Sequence, residues 1–97
     1  MATVLVDAEN VRRSLWPNMA GDELVERSKA WGKQEGHEVR VVWEGSESGD
    51  DQIARLVREL DPPIWVVTSD RELRDRVHDH AERIIGGGSF ARELAAD

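Results

Sequence analysis

The sequence predicts an α/β fold: a three-layer α/β/α sandwich around a four-stranded parallel sheet in the order 2-1-3-4. Three observations carry this. Four short Val- and Ile-rich runs are apolar nearly throughout instead of alternating, the pattern of strands covered on both faces. Stretches with helical spacing separate these runs, and one more follows the last. At 97 residues the chain has room for one compact domain, here residues 1–97, which excludes a two-domain enzyme.

Taken in order, Thr3 to Val6 is the first strand. The first helix is expected from Gly21 to Glu35, where Leu24, Ser28 and Trp31 share a stripe and Gly36 stands where helices commonly stop. Val39 to Trp43 follows as the second strand. The second helix runs from Asp50 to Leu60, with Ile53, Leu56, Val57 and Leu60 at i, i+3, i+4 and i+7 before Pro62 and Pro63 end it. Ile64 to Thr68 is the third strand. Behind it, Ser69 or Asp70 caps a third helix from Arg71 to His78 that turns Leu73 and Val77 inward. Arg83 to Ile85 is the last strand, and a fourth helix begins at Ser89 with Phe90 and Leu94 inward. Crossovers between such strands are right-handed, and in the expected order the first strand lies between the second and third. In such sheets ligands sit beyond the carboxyl ends of the strands where the winding reverses, here between the first and third.

Composition narrows the functions. Leu, Ile, Val and Phe make up 23 of the 97 residues, above the roughly 20% below which chains stay disordered. With 13 basic against 20 acidic residues the net charge is -7, so any nucleic-acid contact must be local. Eleven of the basic residues are Arg, whose planar forks suit phosphates; only Lys29 and Lys33 are Lys. There is no Cys, which excludes disulfides, zinc knuckles and a thiol nucleophile and leaves oxygen or imidazole to hold any metal. No apolar run suits a membrane span or a secretion signal, so no membrane association and a cytoplasmic location are expected.

Acidic residues collect at one edge of the predicted sheet. The first strand ends in Asp7 and the third in Thr68, Ser69 and Asp70, and neighbouring strands lie about 4.8 Å apart. The second helix opens at the same edge with Asp50 and Asp51. Clustered carboxylates repel and raise one another's pKa unless a cation neutralises them, and a hard Mg²⁺ or Mn²⁺ ion fits oxygen-only ligation. Helix capping and the helix dipole account for Asp50, Asp51 or Asp70 taken singly. Asp7 has no such account, because it ends a strand without a clear helix after it. Turning about 100° per residue, Asp50 lies nearer the buried stripe than Asp51, yet a first helical turn can present both.

The motifs Asp7-Ala8-Glu9-Asn10-Val11, Ser48-Gly49-Asp50-Asp51-Gln52-Ile53, Val66-Val67-Thr68-Ser69-Asp70-Arg71 and Gly87-Gly88-Ser89-Phe90 together resemble the NYN branch of the PIN-like nucleases, especially its bacterial YacP-like members. The resemblance covers nearly the whole chain, in order. It implies a metal-dependent ribonuclease in which Asp7, Asp50, Asp51 and Asp70 hold Mg²⁺ or Mn²⁺ and a metal-bound water attacks an RNA phosphodiester. Asn10 would then position a ligand, water or phosphate. Some relatives carry a further acid one helical turn after the third-strand Asp; here that position is Arg74.

Arg12 and Arg13 after Asn10, and Arg71 and Arg74 after Asp70, are candidates for a phosphate-gripping rim together with Ser69; the alternative is surface solubility or pairing with nearby acids. Trp31, Trp43 and Trp65 read as core, whereas Trp16 before Pro17 is the candidate for stacking on a base. His37, His78 and His80 have no convincing ligand spacing, and Gly86 to Ser89 matches no full phosphate-binding fingerprint. Three functions remain open: an RNA-cleaving enzyme, a non-catalytic RNA- or partner-binding domain with a reduced metal site, and a phosphoacceptor or phosphatase fold. The last lacks a Lys at a strand's carboxyl end. A homodimer is compatible with each.

Overall fold

The computed structural model describes residues 1–96. Its elements run β1 (Thr3–Asp7), α1 (Ala8–Arg12), α2 (Gly21–Glu35), β2 (Glu38–Val42), α3 (Gly49–Glu59), β3 (Ile64–Val67), α4 (Arg71–Val77), β4 (Arg83–Ile85) and α5 (Gly87–Ala95). The sheet has four strands, all parallel, in the order β2-β1-β3-β4. The expected sandwich and strand order are therefore present.

Successive strand residues point to opposite faces, and each face has its own core. On one side Val4, Val6, Val39 and Val67 pack with Val11 of α1, Leu24 of α2 and Phe90 and Leu94 of α5. On the other, Leu5, Val42, Ile64 and Val66 meet Ile53 and Val57 of α3 and Leu73 and Val77 of α4. Both faces of β1 are dry: Val4, Leu5 and Val6 have no exposed surface. The doubly apolar pattern has this burial as its cause in the central strands β1 and β3, whereas the edge strands β2 and β4 are not covered throughout: Glu38 and Arg40 of β2 and Arg83 of β4 are exposed, contrary to the expectation for all four.

The α2 helix stops at Gly36, whose φ of 78° is a left-handed conformation that favours glycine. The His37 amide closes the turn on the Gly32 carbonyl at 2.8 Å.

Three differences from the sequence expectation stand out. A five-residue helix, α1, follows β1 directly, so strands and helices do not strictly alternate. Only Ala8 and Val11 of α1 are buried, too few positions to show a helical period in the sequence. The β2 and β3 strands end at Val42 and Val67, one residue short of Trp43 and Thr68, although the Thr68 amide still bonds to the Ile85 carbonyl at 2.9 Å. The α5 helix starts at Gly87 and not Ser89, with Gly86 as its cap, because glycines leave the start of a helix unmarked by side chains.

Ser28 faces the core from α2 with no exposed surface, and its hydroxyl has no partner among the described residues. A buried unpaired hydroxyl costs free energy that an alanine methyl does not. Ser28→Ala is expected to leave stability unchanged or raise it by about 1 kcal/mol, read as the urea midpoint at constant slope. A loss of that size would mean that the hydroxyl is bonded.

Candidate functional site

The carboxyl edge of the sheet carries the site. Asp7 is both the last residue of β1 and the cap residue of α1, yet its side chain makes no capping bond. It is 8% exposed, and its Oδ2 accepts a 2.8 Å hydrogen bond from the Thr68 hydroxyl, which is fully buried. The same hydroxyl oxygen accepts from the Asp70 amide at 3.1 Å. Thr68 thus ties the end of β1 to the turn after β3.

Asp70 caps α4, its Oδ1 accepting from the Leu73 amide at 3.2 Å. Asp50 enters from the first turn of α3, where Ser48 Oγ caps the helix by accepting from the Asp51 amide at 3.1 Å. Gln52 fixes the approach to that turn by donating to the Trp43 and Glu47 carbonyls at 2.7 and 3.0 Å. The start of α3 abuts Asp7 closely: a Cβ on Gly49 would lie 3.8 Å from Asp7 Oδ1 and 3.5 Å from Glu44 Cγ.

Asp7, Asp50 and Asp70 therefore line one open cavity, together with Glu9, Asn10, Arg13, Ser14 and Glu44. Its electrostatics are strained. Burial is the main cause that raises the Asp7 carboxyl above its ordinary 3.8, opposed by the Thr68 hydrogen bond and reinforced by the charges of Asp50 and Asp70. Asp50 is raised as well, by burial first and then by Asp70, with Arg76 opposing and Glu44 and Glu72 adding to it. Among the described residues none of these three carboxylates forms an ion pair. Nor, among them, does any group of three Asp, Glu, His or Cys side chains stand close enough to hold a metal ion. The acids share a cavity and a repulsion without being drawn into a finished coordination set.

The other candidates are distributed unevenly. Asp51 stands apart from the cluster. It is exposed, its Oδ1 pairs with Arg76 at 3.0 Å, and it lines a different depression beside Arg55 and Arg58, because one further residue of helix rotates it by about 100° from Asp50. Asn10 lines the acidic cavity but spends its Oδ1 on the Ser69 amide at 2.9 Å, leaving its amide NH₂ for the cavity. Ser69 is turned to the scaffold: its Oγ accepts from the Gly87 amide at 2.7 Å. A Cβ at Gly87 would collide with Asn10 Oδ1, so glycine is what lets α5 begin against α1.

Arg13 lines the cavity and pairs with Glu9 at 3.0 Å. Arg12 reaches the same Glu9 at 3.5 Å but turns to the loop after α1, donating to the Met19 carbonyl at 3.4 Å. Arg71 and Arg74 are exposed on α4 and do not line the cavity.

Sequence reasoning passed over Thr68, Ser14, Glu9 and Glu44. Thr68 reads as a strand former, which hides its hydroxyl's role. Glu44 was accessible to the rule that found Asp7: it lies two residues past Val42, and Val42 pairs with Asp7 in the parallel register.

With this geometry in view, the solved structure of Rae1 (YacP) from Bacillus subtilis, a single-substitution variant, matches with a TM-score of 0.81 over 98% of this chain and 76% of the other, at 21% sequence identity. The chain has a YacP-like fold. No family model matches the sequence, and no curated protein does. Within this YacP-like fold the acidic edge is formed by the strands at the sheet's centre, β1 and β3, and by the helix that follows β2.

The raised carboxyls set a pH dependence. A group whose folded pKa lies above its unfolded value adds stability below the unfolded value and loses it as pH rises through the folded one, so at pH 7 the ionised cluster opposes folding. Asp7→Asn keeps an oxygen to accept from Thr68 and removes one charge. It is expected to raise the melting temperature at pH 7 and to lose that advantage as the pH falls toward about 4. A difference that does not change with pH would assign the effect to packing instead.

Proposed function

We propose that the chain is a metal-dependent ribonuclease. The observation that carries this reading is the meeting of Asp7, Asp50 and Asp70 in one open cavity where, among the described residues, none of the three forms an ion pair. Burial and like charge oppose ionisation of Asp7 and Asp50, and a hard divalent cation would relieve both. The donors suit Mg²⁺ or Mn²⁺ in kind, being oxygens alone with room left for water and for a substrate phosphate. As they stand, Asp7, Asp50 and Asp70 are too far apart to enclose an ion, so they would hold it with one or two carboxylates in direct contact and water completing its shell; when bound, such an ion neutralises developing charge and activates water. The YacP-like fold and the motif resemblance support the same substrate class.

The chain's own groups have separable tasks in this reading. Thr68 orients Asp7 through its hydroxyl. The amide NH₂ of Asn10 donates to a phosphate or water at the cavity wall. Arg13, whose side chain is 66% exposed, offers its fork to the RNA backbone in exchange for Glu9. Arg71 and Arg74 on α4 contact phosphates outside the cavity, while Asp51 stays with Arg76.

A second reading has one observation in its favour. Arg74 stands where some relatives of the resembled family carry another acid, and the acids are not drawn into a coordination set among the described residues. That combination suits a domain that binds RNA without cleaving it.

The deciding experiment incubates the chain with matched single-stranded RNA and DNA oligonucleotides in Mg²⁺, Mn²⁺ or chelator, with Asp70→Asn alongside. Asn also caps helices well, so this variant keeps α4. Cleavage of RNA with metal is expected to fall about a hundredfold or more in the variant, since metal stabilisation is worth several kcal/mol and each ~1.4 kcal/mol is tenfold. Cleavage that persists in chelator refutes the proposal. RNA binding without turnover in any metal establishes the second reading.

A further inference from the structure

Trp16 is the exception among the tryptophans. Trp31, Trp43 and Trp65 are partly buried against the core, and the indole N–H groups of Trp31 and Trp65 are bonded to Glu93 and Glu82, each at 2.9 Å. Trp16 is 89% exposed. A lone exposed apolar side chain is common on folded surfaces, so what it can do depends on how this ring is held and what surrounds it.

The segment that carries the ring is pinned. The Ser14 hydroxyl donates to the Asn10 carbonyl at 2.6 Å, and the Ser14 amide to the Val11 carbonyl at 3.1 Å. Across the loop the Met19 amide donates to the Arg12 carbonyl at 3.1 Å, and the Arg12 guanidinium returns to the Met19 carbonyl at 3.4 Å. Trp16 is thus held out by a braced loop and lines one wall of a depression that it shares with Arg12, Leu15, Met19, Ala91 and Ala95. Two residues before it, Ser14 lines the acidic cavity, as does Arg13, and two residues of chain span at most about 7 Å.

The chemistry favours a nucleobase over a protein partner. A stable protein interface needs about 800 Å² on each side with an apolar centre. Here the ring is flanked by exposed Pro17 and Asn18, and among the described residues the only other exposed large apolar side chain is Met1. A single flat ring sharing a depression with Arg12, and three residues along the chain from Arg13 at the acidic cavity, matches a base with its phosphates, because every base offers a π face and every linkage a charge. We infer that Trp16 is the stacking platform for a base of single-stranded RNA whose backbone passes Arg13 and Ser14 into the acidic cavity. This rests on the RNA reading of that cavity but not on turnover there.

The test is fluorescence-anisotropy binding of a labelled single-stranded RNA oligonucleotide in chelator, where no metal-dependent cleavage interferes, to the unaltered chain, Trp16→Ala and Trp16→Phe. Expected are about tenfold weaker binding by Trp16→Ala, near-complete retention by Trp16→Phe, and equal binding of all three to an oligonucleotide lacking its bases. Binding of intact RNA should also quench the indole emission that Trp16→Phe lacks. Equal affinity of Trp16→Ala and the unaltered chain, or no binding by the unaltered chain, overturns the assignment. So does a concentration-dependent dimer that Trp16→Ala dissolves without change in RNA affinity, which would give the ring to a second copy. RNA binding through Trp16 in a chain that cleaves nothing would refute the ribonuclease proposal alone.

Discussion

The site depends on a 2.8 Å hydrogen bond between two buried groups, the Thr68 hydroxyl and the Asp7 carboxylate. Taking a carboxylate out of water at the end of a strand is unfavourable, and the negative neighbours Asp50 and Asp70 make it more so. Against this stand chiefly the Thr68 hydroxyl, with a smaller contribution from the Asn10 backbone, and the parallel pairing of β1 with β3, which fixes where that hydroxyl lies. A hydrogen bond to a charged group is worth about 1.5 to 3 kcal/mol, enough to orient the carboxylate but not to cancel its charge. The cavity is left with a demand for positive charge that none of the neighbouring arginines meets through an ion pair to Asp7, Asp50 or Asp70.

Around this centre the scaffold uses polar groups as struts. Asn10 from α1 bonds the turn after β3, and Ser69 in that turn bonds the start of α5, where only glycine admits the Asn10 oxygen. Three elements distant in the chain, already packed together through Val11, Val67 and Phe90, are also locked at their polar edge. Such bonding suits a small domain, which has limited apolar area to bury and so relies on satisfied local contacts to hold a polar edge rigid.

Much of the fold was legible because each signal was local and repeated. Ile53, Val57, Leu73 and Val77 lie inward at the helical spacing that the sequence displays, and Gly36 ends α2 in a left-handed turn. The α1 helix was not legible, since five residues contain too little of a period. That omission changed the meaning of Asp7, which reads as a strand end and is also a helix cap position. The acids were legible as a group gathered at one edge. Which of them meet was legible in part: the step of about 100° put Asp50 nearer the buried stripe than Asp51, and Asp50 does face the cavity, but that Asp51 turns fully away to Arg76 depends on where α4 lies.

By itself the sequence determined the layer architecture and the edge at which charge would collect, and made the strand order a fair expectation, because apolar periodicity is a local signal and alternating strands and helices with right-handed crossovers leave few arrangements open. Only the tertiary structure decided that Thr68 holds Asp7, that Ser69 serves the scaffold and that Asp51 pairs with Arg76 outside the cavity. These are matters of distance between segments tens of residues apart. Periodicity carries no information about them, because they are set by how the strands register and how closely the helices approach.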